Sequence, residues 1–161
     1  MKIFFFFLRQ IEYSDFLASC EMGDLVEVEL ALKKGGLSDQ QLFEGFRSAA
    51  KNGHLPLVNR FLEIKSMQQN MAKEVLTALR EAAIEGHLHV VNRLLIVEGV
   101  ADHVDEDGNQ ILICAVQAEQ YDVASRLLQI PSVVTSLKDD EDFVAEHRAF
   151  FDKVTSNTTN R

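Results

Sequence analysis

Cysteine is scarce in this chain, and so are basic runs, long apolar runs and catalytic signatures. Only Cys20 and Cys114 occur in 161 residues. A secreted domain stapled by disulfides would carry more, so the composition points to a reducing compartment with two small thiols in the core. No basic run exceeds the pair Lys33 and Lys34, and the formal net charge is −9. Sequence-independent binding of nucleic acid needs cationic side chains to displace counterions, so that class is disfavoured. An acidic surface favours solubility without naming a partner. No stretch is long and apolar enough to span a bilayer. The opening MKIFFFFLRQIEY holds an apolar run at residues 3–8. That run is shorter than a signal-peptide core, Arg9, Glu12 and Asp15 follow it, and no small-residue cleavage site comes after. It reads as a hydrophobic lead-in, residues 1–12, that packs on the segment behind it. Gly-x-Ser-x-Gly, the Walker loop and the dinucleotide fingerprint are all missing, which argues against catalysis.

What the chain does have is a core-forming composition and a period. Hydrophobic residues make up 47%, enough for one folded domain. The stretch NGHLPLVNRFL from Asn52 returns as EGHLHVVNRLL from Glu85. The same offset links Phe46, Leu79 and Leu112; Ala49, Ala82 and Ala115; Arg60, Arg93 and Arg126; and Leu62, Leu95 and Leu128. A more degenerate copy lies slightly less than one period before the second, where Phe16, Gly23, Leu25, Val28 and Leu32 match Phe46, Gly53, Leu55, Val58 and Leu62. A fixed period of this size marks a repeat architecture.

Each copy carries the same physical content. A short apolar stretch with an alanine pair, such as FRSAAKNG, fits a two-turn helix that lets a neighbour approach closely. Gly53 or Gly86 ends it, because glycine accepts the left-handed cap conformation. A second helix follows, with Leu57, Val58, Phe61 and Leu62, or Val90, Val91, Leu94 and Leu95, on one face. Pro56 falls in the first turn of its helix, where a missing N–H costs nothing. Ser38 with Gln41 forms a capping box ahead of the second copy. One such pair cannot bury its own apolar face and must stack on another copy.

These residues resemble the ankyrin repeat. Copies two and three keep Ala-Ala and Gly-His. Copy four, DGNQILICAVQAEQYDVASRLL, keeps Gly108, Leu112, Ala115, Val123, Leu127 and Leu128, and has Gln110-Ile111 for Thr-Pro, Ile113 for His and Glu119 for Gly. Only the segment around Asp107-Gly108-Asn109 looks like the family's finger hairpin, expected near residues 105–110. Divergent copies with missing fingers are similar in style to ankyrin-repeat proteins of intracellular bacteria. The resemblance implies an all-α solenoid of helix-turn-helix repeats at about 13–37, 38–70, 71–103 and 104–130. Residues 131–154 read as a C-terminal capping helix, with Phe143, His147, Phe150 and Val154 on one side, and 155–161 as a polar tail.

Metal patterns fail on spacing. Aligning Gly108 with the sixth position of a calcium loop puts Cys114 where a bidentate Glu is required. His87, His89, His103 and Cys114 match no zinc spacing, and the resemblance gives His54 and His87 the task of bracing the turn. Cys20 and Cys114 fall on the first helices of copies one and four, roughly 30 Å apart if helices pack at 8–10 Å, so they cannot pair. Arg60, Arg93 and Arg126 read as a solvated outer ladder, with a basic stripe for an acidic partner as the alternative.

The resulting expectation is a cytoplasmic, monomeric, non-catalytic module, without cofactor or metal. It would bind a protein rather than nucleic acid or membrane, in its own cell or as an effector in a host. The residues between the Ala pair and the Gly face the concave side in the family. Here these are Glu21 and Met22, Lys51 and Asn52, Ile84 and Glu85, and Gln117 and Ala118, to which the finger adds Glu106, Asp107 and Asn109. Two alternatives stand beside this: self-association through phenylalanines 4–7, and an enzyme with an unrecognised site.

Overall fold

Alanine decides how closely the helices of this chain approach. Ala49, Ala50, Ala82, Ala83 and Ala115 are fully buried, all on the first helices of successive repeats. The computed structural model describes residues 2–65, 67, 71–104, 109–137 and 141–152, with the side chains of 2–11, 71, 72, 141 and 143 outside the description. Among the described residues the first helices are α1 (Lys2–Met22), α3 (Asp39–Lys51), α5 (Met71–Ile84) and α7 (Gln110–Gln117). The second helices are α2 (Leu25–Lys34), α4 (Leu55–Leu62), α6 (Leu88–Leu95) and α8 (Tyr121–Leu127). The fold is an all-α solenoid. First helices pack on one another in chain order and much more intimately than second helices do.

Hydrophobic periodicity places the core as the repeats require. Phe46, Leu79 and Leu112, one residue from each of three copies, are fully buried. Leu57, Val58 and Phe61 of α4 are buried too, as are Val90, Val91, Leu94 and Leu95 of α6. Each such side chain contributes about 1.5–3 kcal/mol by leaving water. Phe16, Phe46 and Phe61 form edge-to-face pairs at 6.1–6.3 Å and join the first two repeats. Gly45 is needed where α1 crosses α3: a Cβ there would lie 2.8 Å from the Phe16 ring.

Helix lengths depart from the two-turn expectation. α3 and α5 run 13 and 14 residues, whereas α7 has 8. The extra turns of α3 come from its cap. Ser38 Oγ accepts from the Gln41 amide at 3.3 Å, and Gln41 Oε1 accepts from the Ser38 amide at 3.0 Å. This reciprocal pair starts the helix upstream of the apolar stretch and turns the connection itself helical. Likewise the phenylalanine-rich lead-in is the first half of the 21-residue α1.

The C-terminal segment expected as one helix is broken among the described residues into α9 (Pro131–Leu137), α10 (Glu141–Glu146) and a further helical stretch at 148–152. Val133, Leu137 and Phe150 are buried there, and Phe150 stacks on Tyr121 with ring centroids 5.6 Å apart. The side chain of Phe143, Val154 and the tail at 155–161 lie outside the described residues. So do 105–108, and with them the expected finger hairpin apart from Asn109 and Gln110.

Candidate binding surface

Each repeat ends its first helix in a left-handed turn, and in the first three repeats that turn is roofed by the repeat that follows. Gly53 and Gly86 have φ of 77° and 78°, as the sequence required. They meet a second condition that φ does not reveal. A Cβ on Gly53 would lie 2.7 Å from His87 Nδ1, and one on Gly86 would collide with the side-chain amide of Gln120. A Cβ on Gly23 would likewise lie 2.5 Å from His54 Nδ1. His54, His87 and Gln120 thus occupy one structural position, each covering the glycine of the repeat before. Reading the sequence misses Gln120, although it stands one full period after His87 and so carried the signal.

Hydrogen bonds lock these turns. His54 Nε2 lies 2.7 Å from the Glu21 carbonyl oxygen, and His89 Nε2 lies 2.8 Å from that of Gly53. A carbonyl only accepts, so both nitrogens carry the proton. The rings of His87 and His89 meet edge to face at 5.9 Å. In the fourth repeat Glu119 takes the left-handed conformation, with φ 58°, where the other copies have glycine.

Along this braced edge stand the residues proposed from the sequence. Lys51, Ile84 and Gln117 are the last residues of α3, α5 and α7, and Glu21 is one from the end of α1. Glu21, Met22, Lys51, Asn52, Ile84, Glu85 and Gln117 are exposed, and Ala118 is half-buried. Met22 is 72% exposed and Ile84 38%. Asn52 uses its side-chain amide to cap α3, donating to the Ser48 carbonyl at 2.8 Å. Asn109 is different: it is 3% exposed, left-handed at φ 59°, and begins α7, so its side chain is not open to a partner. Glu106 and Asp107 lie outside the described residues.

The outer arginines are not the freely solvated ladder that spacing suggests. All three are half-buried. Arg93 Nε donates to Asn59 Oδ1 at 2.6 Å and Arg126 Nε to Asn92 Oδ1 at 2.8 Å, while Arg60 Nε pairs with Glu29. Each guanidinium reaches back across the gap between second helices to the copy before. The repeated Asn-Arg dipeptide therefore gives every inner copy an acceptor for its successor and a donor for its predecessor.

Reactive chemistry is not concentrated along this edge. Burial pushes the Cys20 thiol up to about 12, so it carries no thiolate at neutral pH. Cys114 is a second free thiol, half-buried on α7. Burial and a hydrogen bond to Glu44 push the Tyr13 hydroxyl up to about 12, but it lies between α1 and α3. A cavity of about 270 Å³ opens between α5 and α7, with Leu76, Val104 and Ile111 in its lining and Lys73, Arg80 and His103 around it. Among the described residues no three His, Cys, Asp or Glu side chains gather closely enough to hold a metal ion, and no helix is long and apolar enough to cross a membrane.

A family model described as ankyrin repeats (3 copies) matches residues 46–138, more than half of the chain. Neither the curated proteins nor the solved structures give a match.

Proposed function

The chain belongs to the ankyrin-repeat family, and we propose that it acts as a non-catalytic module that seats a protein partner along the edge formed by the first-helix ends. Ankyrin repeats generally mediate protein–protein interaction. The observation that carries the reading here is a row of exposed, chemically mixed side chains on a braced backbone. Glu21, Lys51, Ile84 and Gln117 offer in turn an acid, a base, an apolar side chain and an amide, one per repeat. His54, His89 and the roofed glycines hold the main chain beneath them. A preorganised surface spends little of its binding free energy on ordering itself. Met22, Asn52, Glu85 and Ala118 flank the row. The two free thiols support a reducing cytoplasmic compartment, of the producing cell or, as the divergent repeat style suggests, of a host that the protein enters as an effector.

The experiment is a lysate pull-down with the parent and two double variants. Lys51→Glu with Ile84→Arg changes two adjacent steps of the row, and hot-spot residues typically cost at least about 2 kcal/mol when lost. Glu63→Lys with Glu98→Lys alters exposed positions beyond the second helices. Loss of the same partner band only in the first variant, with melting temperatures unchanged, supports the edge. Loss only in the second places the site on the convex side and overturns it.

A further inference from the structure

One helix in the stack is left with an uncovered face. The second helices α4, α6 and α8 each bury at least three side chains, whereas α2 buries only Val28. Val26 is 68% exposed and Leu30 53%, with Leu25 and Met22 beside them. Large apolar side chains grouped in the open are the kind of surface that a partner covers.

The exposed positions of α2 include 26, 27, 30, 33 and 34. Their spacing, i, i+1, i+4, i+7 and i+8, is that of a single helical face. Along it the order is Val26, Glu27, Leu30, Lys33, Lys34: an acid before the apolar centre and bases after it. Such a face is complementary to itself when inverted. Laid antiparallel about Leu30, Glu27 of each copy faces Lys33 of the other, Val26 faces Lys34, and the two Leu30 side chains meet.

We propose that a second copy of this chain covers this face, α2 against α2, about a two-fold axis at Leu30. An isologous contact requires one patch to match itself, and this charge order does so twice over. Lys34 pairs with Glu12 of its own chain, so its aliphatic stem, not its charge, is what it offers Val26 of the other copy. The contact is small and joins two chains of net charge −9. The dimer is therefore weak and concentration-dependent. It leaves Lys51, Ile84 and Gln117 open, so it is compatible with the proposed binding edge and does not depend on it.

Sedimentation velocity on the full chain tests this, from about 10 µM to about 1 mM, the range in which weak self-association shows. A shift from monomer to dimer is expected, abolished by Leu30→Arg and weakened about tenfold or more by Lys33→Glu. The swap Glu27→Lys with Lys33→Glu must restore it, since the two cross-pairs are re-formed with reversed sign. Leu30→Cys in a Cys20→Ala, Cys114→Ala background should oxidise to a covalent dimer faster than Glu27→Cys does. Circular dichroism of each variant guards against loss of fold. A monomer at every concentration overturns the proposal. So does a dimer that survives Leu30→Arg, or a charge swap that fails to restore it.

Discussion

Arg93 Nε donates to Asn59 Oδ1 at 2.6 Å across the gap between α4 and α6, from a residue one repeat and one position later in the chain. That extra position is why Asn and Arg stand next to each other in the motif. The contact predicts a stability effect. Arg93→Ala should cost about 1 kcal/mol, the usual net worth of such a hydrogen bond, rather than the few tenths of an exposed change. A double-mutant cycle with Asn59→Ala should show coupling of about 0.5 kcal/mol or more in urea unfolding. Additive effects would mean the ladder is ornamental.

Gly53 has φ 77°, and a Cβ there would lie 2.7 Å from His87 Nδ1. Gly53→Ala should therefore cost the left-handed strain, about 1 kcal/mol, and the displacement of the ring, about 2–3 kcal/mol together in urea unfolding. In a His87→Ala background the cost of Gly53→Ala should fall towards about 1 kcal/mol. An equal cost in both backgrounds would show that the ring is free to move aside.

Glu119 holds a left-handed conformation that its counterparts Gly53 and Gly86 accept without strain. Glu119→Gly should stabilise the chain by about 0.5–1 kcal/mol, read as a higher urea midpoint with an unchanged slope. The residue is exposed, so no packing is lost. A destabilised variant would show that the fourth turn relaxes by another route.

Alkaline pH should loosen the fold. Burial raises the Cys20 thiol from 9.0 to about 12, and burial with the Glu44 hydrogen bond raises Tyr13 from 10.0 to about 12. A folded-state pKa above the unfolded one means that the native state holds its proton more tightly. That stability is complete below pH 9 and is lost as pH rises towards 12. Urea midpoints should fall steadily from pH 9 to pH 11, and Cys20→Ala should flatten the first part of that fall. A thiol reagent at pH 8 should label Cys114 quickly and Cys20 only on unfolding.

Whatever depends on period and local chemistry was legible in the letters of the chain. The repeat offset placed Phe46, Leu79 and Leu112 in a common core, and the glycine of the Gly-His pair ended α3 and α5. Ser38 with Gln41 named the cap of α3. These are interactions within one helix or one turn, or apolar burial that every copy repeats, so neighbouring letters suffice. What crosses from one copy to the next was settled only by the packed stack. Arg93 could not be seen to reach Asn59, Gln120 to roof Gly86, or the Phe16 ring to lie over Gly45, until the distance between repeats was fixed. Those contacts join residues about one repeat apart, and their geometry is set by how closely the helices pack.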